Sequence, residues 1–143
     1  MIEGGIKIVT DALFLAGATP LASCEGHPAG RFSVWLSRIL PGLYLNEVRP
    51  YVLFTCDFKS AQALSQELGR DCYYHWRLAA YFHERDNGLV WMVEPCDKRL
   101  SEGVVLLRKL KKDMLIMANN ITRSFSMAKL DSHSSKVRST IAR

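Results

Sequence analysis

Two runs dense in β-formers do most to limit the architecture. Residues 48–56 contain Tyr51-Val52-Leu53-Phe54-Thr55, and residues 89–93 read Leu-Val-Trp-Met-Val. Both are continuously apolar rather than alternating, which suits strands in the middle of a sheet. The second is framed by strong punctuation: Arg85-Asp86-Asn87-Gly88 is a turn, and Pro95 stops the run after Glu94. Central strands need helices to cover them, and the chain supplies helical patterns on both sides in sequence. Val9, Ala12, Leu13 and Ala16 recur at i, i+3, i+4 and i+7, which predicts a helix over 5–16 ended by Gly17 and Pro20. Phe32, Trp35, Leu36, Ile39 and Leu40 share one face of a second helix, over about 32–40, that stops at Pro41. Ala61, Leu64 and Leu68 mark a third, ended by Gly69. Leu106, Leu107, Leu110, Met114 and Met117 form the apolar stripe of a fourth, capped by Asp97 or Ser101.

Three stretches are less decided. Residues 17–31 read as a small-residue loop, and 71–83 fits helix or strand equally. Residues 121–130 alternate Ile121, Arg123, Phe125, Met127 and Lys129 and read as a last strand. The order helix, helix, strand, helix, strand, helix, strand indicates a single α/β domain over 1–130. Residues 131–143 are polar, Ser-rich and basic and read as a frayed tail.

Charge is divided unevenly. Residues 1–97 carry 8 basic and 11 acidic side chains, whereas 98–143 carry 11 basic and 3 acidic. A basic C-terminal third on a mildly acidic body suits an acidic partner: nucleic acid, an anionic membrane or an acidic protein. No helix-turn-helix, RNA-recognition or zinc signature favours nucleic acid. No apolar stretch is long enough to span a membrane, and the start lacks a signal peptide, so a cytoplasmic location is expected. The four cysteines, Cys24, Cys56, Cys72 and Cys96, show no metal-ligand spacing and are expected as free thiols.

Two residues stand out chemically. His27 lies in Glu25-Gly26-His27-Pro28-Ala29-Gly30, directly before the second predicted helix. A loop exposes an imidazole and a core-anchored helix fixes it, which suits a general base. The same pattern also fits a surface histidine. Glu94 ends an apolar strand, where α/β folds often place active groups, and equally fits a helix cap.

In three segments the chain resembles the RTX toxin-activating lysine acyltransferases. Leu13-Phe14-Leu15-Ala16-Gly17-Ala18-Thr19-Pro20-Leu21 is similar to that family's opening helix and its Ser-Pro-Leu ending. His27 through Leu40-Pro41 keeps the family's spacing from its catalytic histidine to Leu-Pro. Asp86 through Glu94 and on to Gly103 and Lys109 resembles its Gly-Asp-Arg-x-Trp-Phe-x-Asp strand and following helix, with Trp91 and Glu94 at the tryptophan and aspartate positions. Four features depart from the family: a short insertion before His27, glutamate for aspartate at 94, Asp97-Lys98-Arg99-Leu100 in place of Ala-Pro-Phe-Gly, and a shortened hairpin between Pro41 and the first central strand.

The resemblance implies a fold like the Gcn5-related acetyltransferases, a mixed central sheet flanked by helices. It implies transfer of a fatty acyl group from acyl carrier protein to a lysine of a protoxin-like acceptor. His27 and Glu94 would be the catalytic pair. No cofactor is bound, because the acyl carrier protein thioester is itself the activated donor. Arg108, Lys109, Lys111 and Lys112 would dock the acidic carrier, and a homodimer stays open. Two other classes compete. A thiol hydrolase or deamidase would use Cys24 as nucleophile, His75 as base and Glu94 or Asp97 as orienter. A non-enzymatic protein would use the basic third for binding.

Overall fold

Helix α1 (Gly5–Ala16) forms where the apolar spacing places it, with Val9 and Leu13 fully buried. Its end is a Schellman motif. Gly17 adopts φ 102°, its N–H donates to the Phe14 carbonyl, and the Ala18 N–H reaches back to Leu13. The computed structural model describes residues 5–24, 27–28, 43–44, 46–48, 50–83, 88–102 and 105–141. The predicted helix over 32–40 lies outside them, as does most of the turn at 85–88.

The chain then enters β1 (Thr19–Cys24) rather than the expected loop. Small polar residues alone suggested a loop, but pairing with β5 (Tyr51–Thr55) decides the backbone. Pro20 is tolerated because β1 is an edge strand and its register shifts between Pro20 and Ala22. Helix α2 (Phe58–Glu67) follows β5, with Ala61 and Leu64 buried as the spacing predicts. The ambiguous segment resolves into β6 (Trp76–His83), which forms a hairpin with β7 (Gly88–Pro95).

The main sheet has the order β1-β5-β7-β6 and is antiparallel throughout, not mixed. Both apolar runs occupy interior positions, as their composition requires. On β5, Val52 and Phe54 are buried while Tyr51, Leu53 and Thr55 are half-buried, so the helices cover one face. The core joins Ile6, Val9 and Leu13 of α1, Leu64 of α2 and Val93 of β7 to the last helix.

One turn, α3 (Arg99–Glu102), precedes the last helix, α4 (Leu107–Ile141). Leu110, Met114 and Met117 are fully buried on α4, as expected, and the stripe continues through Ile121 and Phe125. The strand expected at 121–130 is therefore helix. Its alternating residues also satisfy an i, i+4 pattern, and packing against α1 and α2 selects that one. The helical backbone continues to Ile141, through most of the segment read as a tail.

Four short strands complete the set. β2 (His27–Pro28) pairs with β4 (Asn46–Val48), and β3 (Leu43–Tyr44) pairs with β8 (Val105–Leu106). The result is a small single-domain α/β protein. Among the described residues, no helix is long and apolar enough to cross a membrane.

Candidate functional site

The unbroken β6/β7 register sets Arg77 directly opposite Glu94. Side chains of directly opposed residues share a face, so the two meet. Arg77 Nε donates to Glu94 Oε1 at 2.6 Å, and a second guanidinium nitrogen donates to the same oxygen. The carboxylate is 14% exposed and the guanidinium 55%. The hydrogen bond and charge of Glu94 hold Arg77 more firmly protonated than an isolated arginine. Among the described residues, Glu94 Oε2 accepts no hydrogen bond.

The same end of the sheet carries the segment that leads to His27. Val52 pairs with Val93, so Tyr51 and Glu94 are the next residues outward on adjacent strands. Tyr51 pairs in turn with Cys24. The His27–Val48 pair keeps the register of the Cys24–Tyr51 pair. β2 and β4 form a two-stranded sheet of their own, separate from the main sheet. His27, expected in a loop, is a strand residue by its backbone. Its imidazole lies outside the described atoms.

Two buried carboxylates fix this end of the sheet. Asp113, 1% exposed, accepts the backbone N–H groups of Tyr73 (2.7 Å) and Tyr74 (2.9 Å) and the indole N–H of Trp76 (3.0 Å). Asp97 accepts the His75 N–H at 3.1 Å and the Arg99 N–H at 3.0 Å. It therefore caps α3, the role expected of it for the longer helix. Arg99 also grips Asp97 with its side chain and holds its pKa well below the usual carboxylate range. The Cys96 N–H closes the turn on the His75 carbonyl at 2.8 Å. Between them these bonds set where β6 starts, and hence that Arg77 faces Glu94.

Around the turn, the Arg99 guanidinium lies 4.3 Å from the Tyr73 ring centre and 5.1 Å from that of Tyr74. Lys109 Nζ lies 5.2 Å from the Tyr73 ring. Arg108, Lys109, Lys111 and Lys112 are all exposed, as the helical pattern predicts.

Searches against protein-family models, curated proteins and solved structures find no match to this chain.

The thiol arrangement considered from the sequence is not assembled by these contacts. Cys24 ends a strand rather than opening a helix, and Asp97 binds the backbone of His75. Cys56 and Cys72 are half-buried, and burial pushes each thiol up to about 12. Among the described residues no group of His, Cys, Asp and Glu is arranged to hold a metal.

Sequence reasoning missed Arg77 and Asp113. Arg77 was hidden by the undecided segment 71–83. Once that segment is a strand, the hairpin turn fixes its partner. Asp113 had a visible signal: it stands three residues after Leu110 and four before Met117, inside the apolar stripe. Asn120 and Ser124 continue the same polar line, and both are buried.

Proposed function

We propose that this chain is an acyltransferase that moves a fatty acyl group from acyl carrier protein to a protein lysine. His27 acts as general base and Glu94 orients its imidazole. The observation that carries the reading is the coincidence at one sheet end. Glu94 is a largely buried carboxylate with Oε1 fixed by Arg77 and, among the described residues, no hydrogen bond to its other oxygen, and β1 ends at Cys24, three residues before His27, on the same end of the sheet. A fixed carboxylate beside an imidazole is the arrangement that holds a base in one orientation.

In the reaction, the lysine nitrogen attacks the thioester carbonyl carbon and a C–N bond forms. His27 takes the proton from the attacking nitrogen. The C–S bond then breaks, and the proton passes to the departing carrier thiolate. The donor is already activated, so no enzyme thiol or bound cofactor is required. The exposed cations Arg108, Lys109, Lys111 and Lys112 give α4 a surface suited to an acidic carrier. This reading implies a Gcn5-related fold, a protoxin-like acceptor and a cytoplasmic location, where the carrier is found.

The test is a transfer assay with a long-chain acyl carrier protein thioester and a lysine-rich peptide pool, read by mass spectrometry. Acyl-lysine should form with the wild-type chain and with Cys24→Ser, and should be lost in His27→Ala. Activity lost in Cys24→Ser with folding intact would move the assignment to a thiol enzyme.

A further inference from the structure

Asn120 of α4 donates its side-chain N–H to the Arg70 carbonyl, just past the end of α2, at 3.2 Å. Further along α4, Ala128 and Asp131 face α2 across a groove of about 340 Å³. The α2 wall is made by Lys59, Gln62, Ala63 and Gln66, whose i, i+3, i+4 and i+7 spacing puts them on one side of the helix. The two helices therefore run antiparallel, with Lys59 and Asp131 at the same end of the groove. Ala63 and Ala128 lie deepest, the first half-buried and the second buried, and their small side chains leave the space open. Lys59, Gln62, Gln66 and Asp131 are all exposed and form the rim. The groove thus offers one cation, one anion and two carboxamides over a small apolar floor.

Elsewhere on the helices, opposite charges bond to each other: Lys7 with Asp11, and Arg70 with Glu67. Lys59 and Asp131 form no ion pair and no hydrogen bond among the described residues. Opposite charges held apart on two helices are complementary to a molecule that carries both charges itself. We propose that this groove binds a free amino acid with a neutral, polar side chain. Its carboxylate pairs with Lys59 and its ammonium with Asp131. Its side chain runs along Gln62 and Gln66, whose carboxamides both donate and accept hydrogen bonds. An apolar side chain there would strip these amides of water and return nothing. The volume lies at the small end of the range for small-molecule sites, about 300–1,000 Å³. Gly69, past the other end of α2, packs against Trp76, which pairs with Pro95 beside Glu94. The groove therefore lies away from Glu94 and is independent of acyl transfer. Exposed charges each contribute little, so the affinity is weak, with a Kd of about a millimolar.

Titration of the isotope-labelled full chain with L-glutamine, followed by amide chemical shifts in two-dimensional NMR, tests this. Saturable shifts should appear at residues 59–66 and 128–131. Two further probes separate the contacts. Glutaramate, which lacks the ammonium, and L-norvaline, which lacks the carboxamide, should each bind more weakly than L-glutamine. Lys59→Ala and Asp131→Asn should each weaken L-glutamine binding about threefold to fivefold, the range for an exposed charged contact. Both positions are exposed, so both variants should fold, and their amide spectra show whether they do. No saturable shift with L-glutamine, even at tens of millimolar, overturns the proposal. So does binding that neither substitution weakens, since it would then lie elsewhere. L-norvaline or glutaramate binding as well as L-glutamine overturns it too, because the contact that each probe lacks would then contribute nothing.

Discussion

Asp97 and Asp113 show how much of this end of the molecule depends on single carboxylates. Asp113 satisfies three donors, two of them in fully buried hydrogen bonds. Asp113→Ala should cost about 3–5 kcal/mol, because buried donors left without an acceptor lose most of their hydration with nothing in return. Urea denaturation measures this, and a loss below 1 kcal/mol would mean that the turn rearranges freely. Asp97 is lowered mainly by the Arg99 side-chain hydrogen bond. A carboxyl with a depressed folded-state pKa stabilises the fold fully above its unfolded value, near 4. The contribution is lost as pH falls through the folded value. Asp97→Asn should therefore be less stable than wild type at pH 7, with the gap narrowing below about pH 4. A gap unchanged down to pH 2 would show that the ion pair contributes nothing. The thiols give a third check. Cys96 is exposed, while Cys56 and Cys72 are held protonated by burial. A thiol reagent at pH 8 should modify Cys96 rapidly and those two slowly, as read by peptide mass mapping.

At the scale of elements, α1, α2, the first half of α4 and the interior strands were legible because their signals are local. The spacing Val9, Leu13 and Ala16 needs only a buried face, and the run Tyr51 to Thr55 only a place inside a sheet. β1 and β6 were not legible. Pro20 and the small residues beside it resemble a loop unless one knows that β5 pairs with them. Tyr73 to Leu78 carries both periods, and what selects the strand is β7 on one side and Asp113, forty residues away in sequence, on the other. Residues 121–130 were misread for the same reason in reverse, since contacts with α1 and α2 select the helix. The end of α1 gives an element-scale prediction. Gly17 has φ 102°, and a Cβ there would meet nothing closer than Lys129 Nζ at 3.8 Å. Gly17→Ala should therefore be purely conformational in cost, about 1–2 kcal/mol, visible as a lower thermal midpoint. On α4, changing Lys109 and Lys112 to Glu should leave stability nearly unchanged, because exposed charges contribute little. Carrier association should slow, with a weaker dependence on salt. Identical binding in the double variant would make this face a solvated one.

Over the whole molecule, the basic third foreseen from composition belongs largely to one long helix, and the acidic body to the sheet and the elements before it. The α/β class followed from the order of local signals. The antiparallel arrangement did not, because strand direction is set by pairings that no single segment encodes. Of the site, Glu94 was visible as a carboxylate ending an apolar strand, and its partner Arg77 emerged only with the hairpin register. The account rests on His27 and Glu94 acting together at that sheet end. A double-mutant cycle on acyl transfer, with wild type, His27→Ala, Glu94→Gln and the combined variant, measures that coupling. If Glu94 works by orienting His27, each single change lowers the rate and the combined variant is no slower than His27→Ala. A Glu94→Gln variant as fast as wild type, or rate losses that simply multiply, would contradict the pairing.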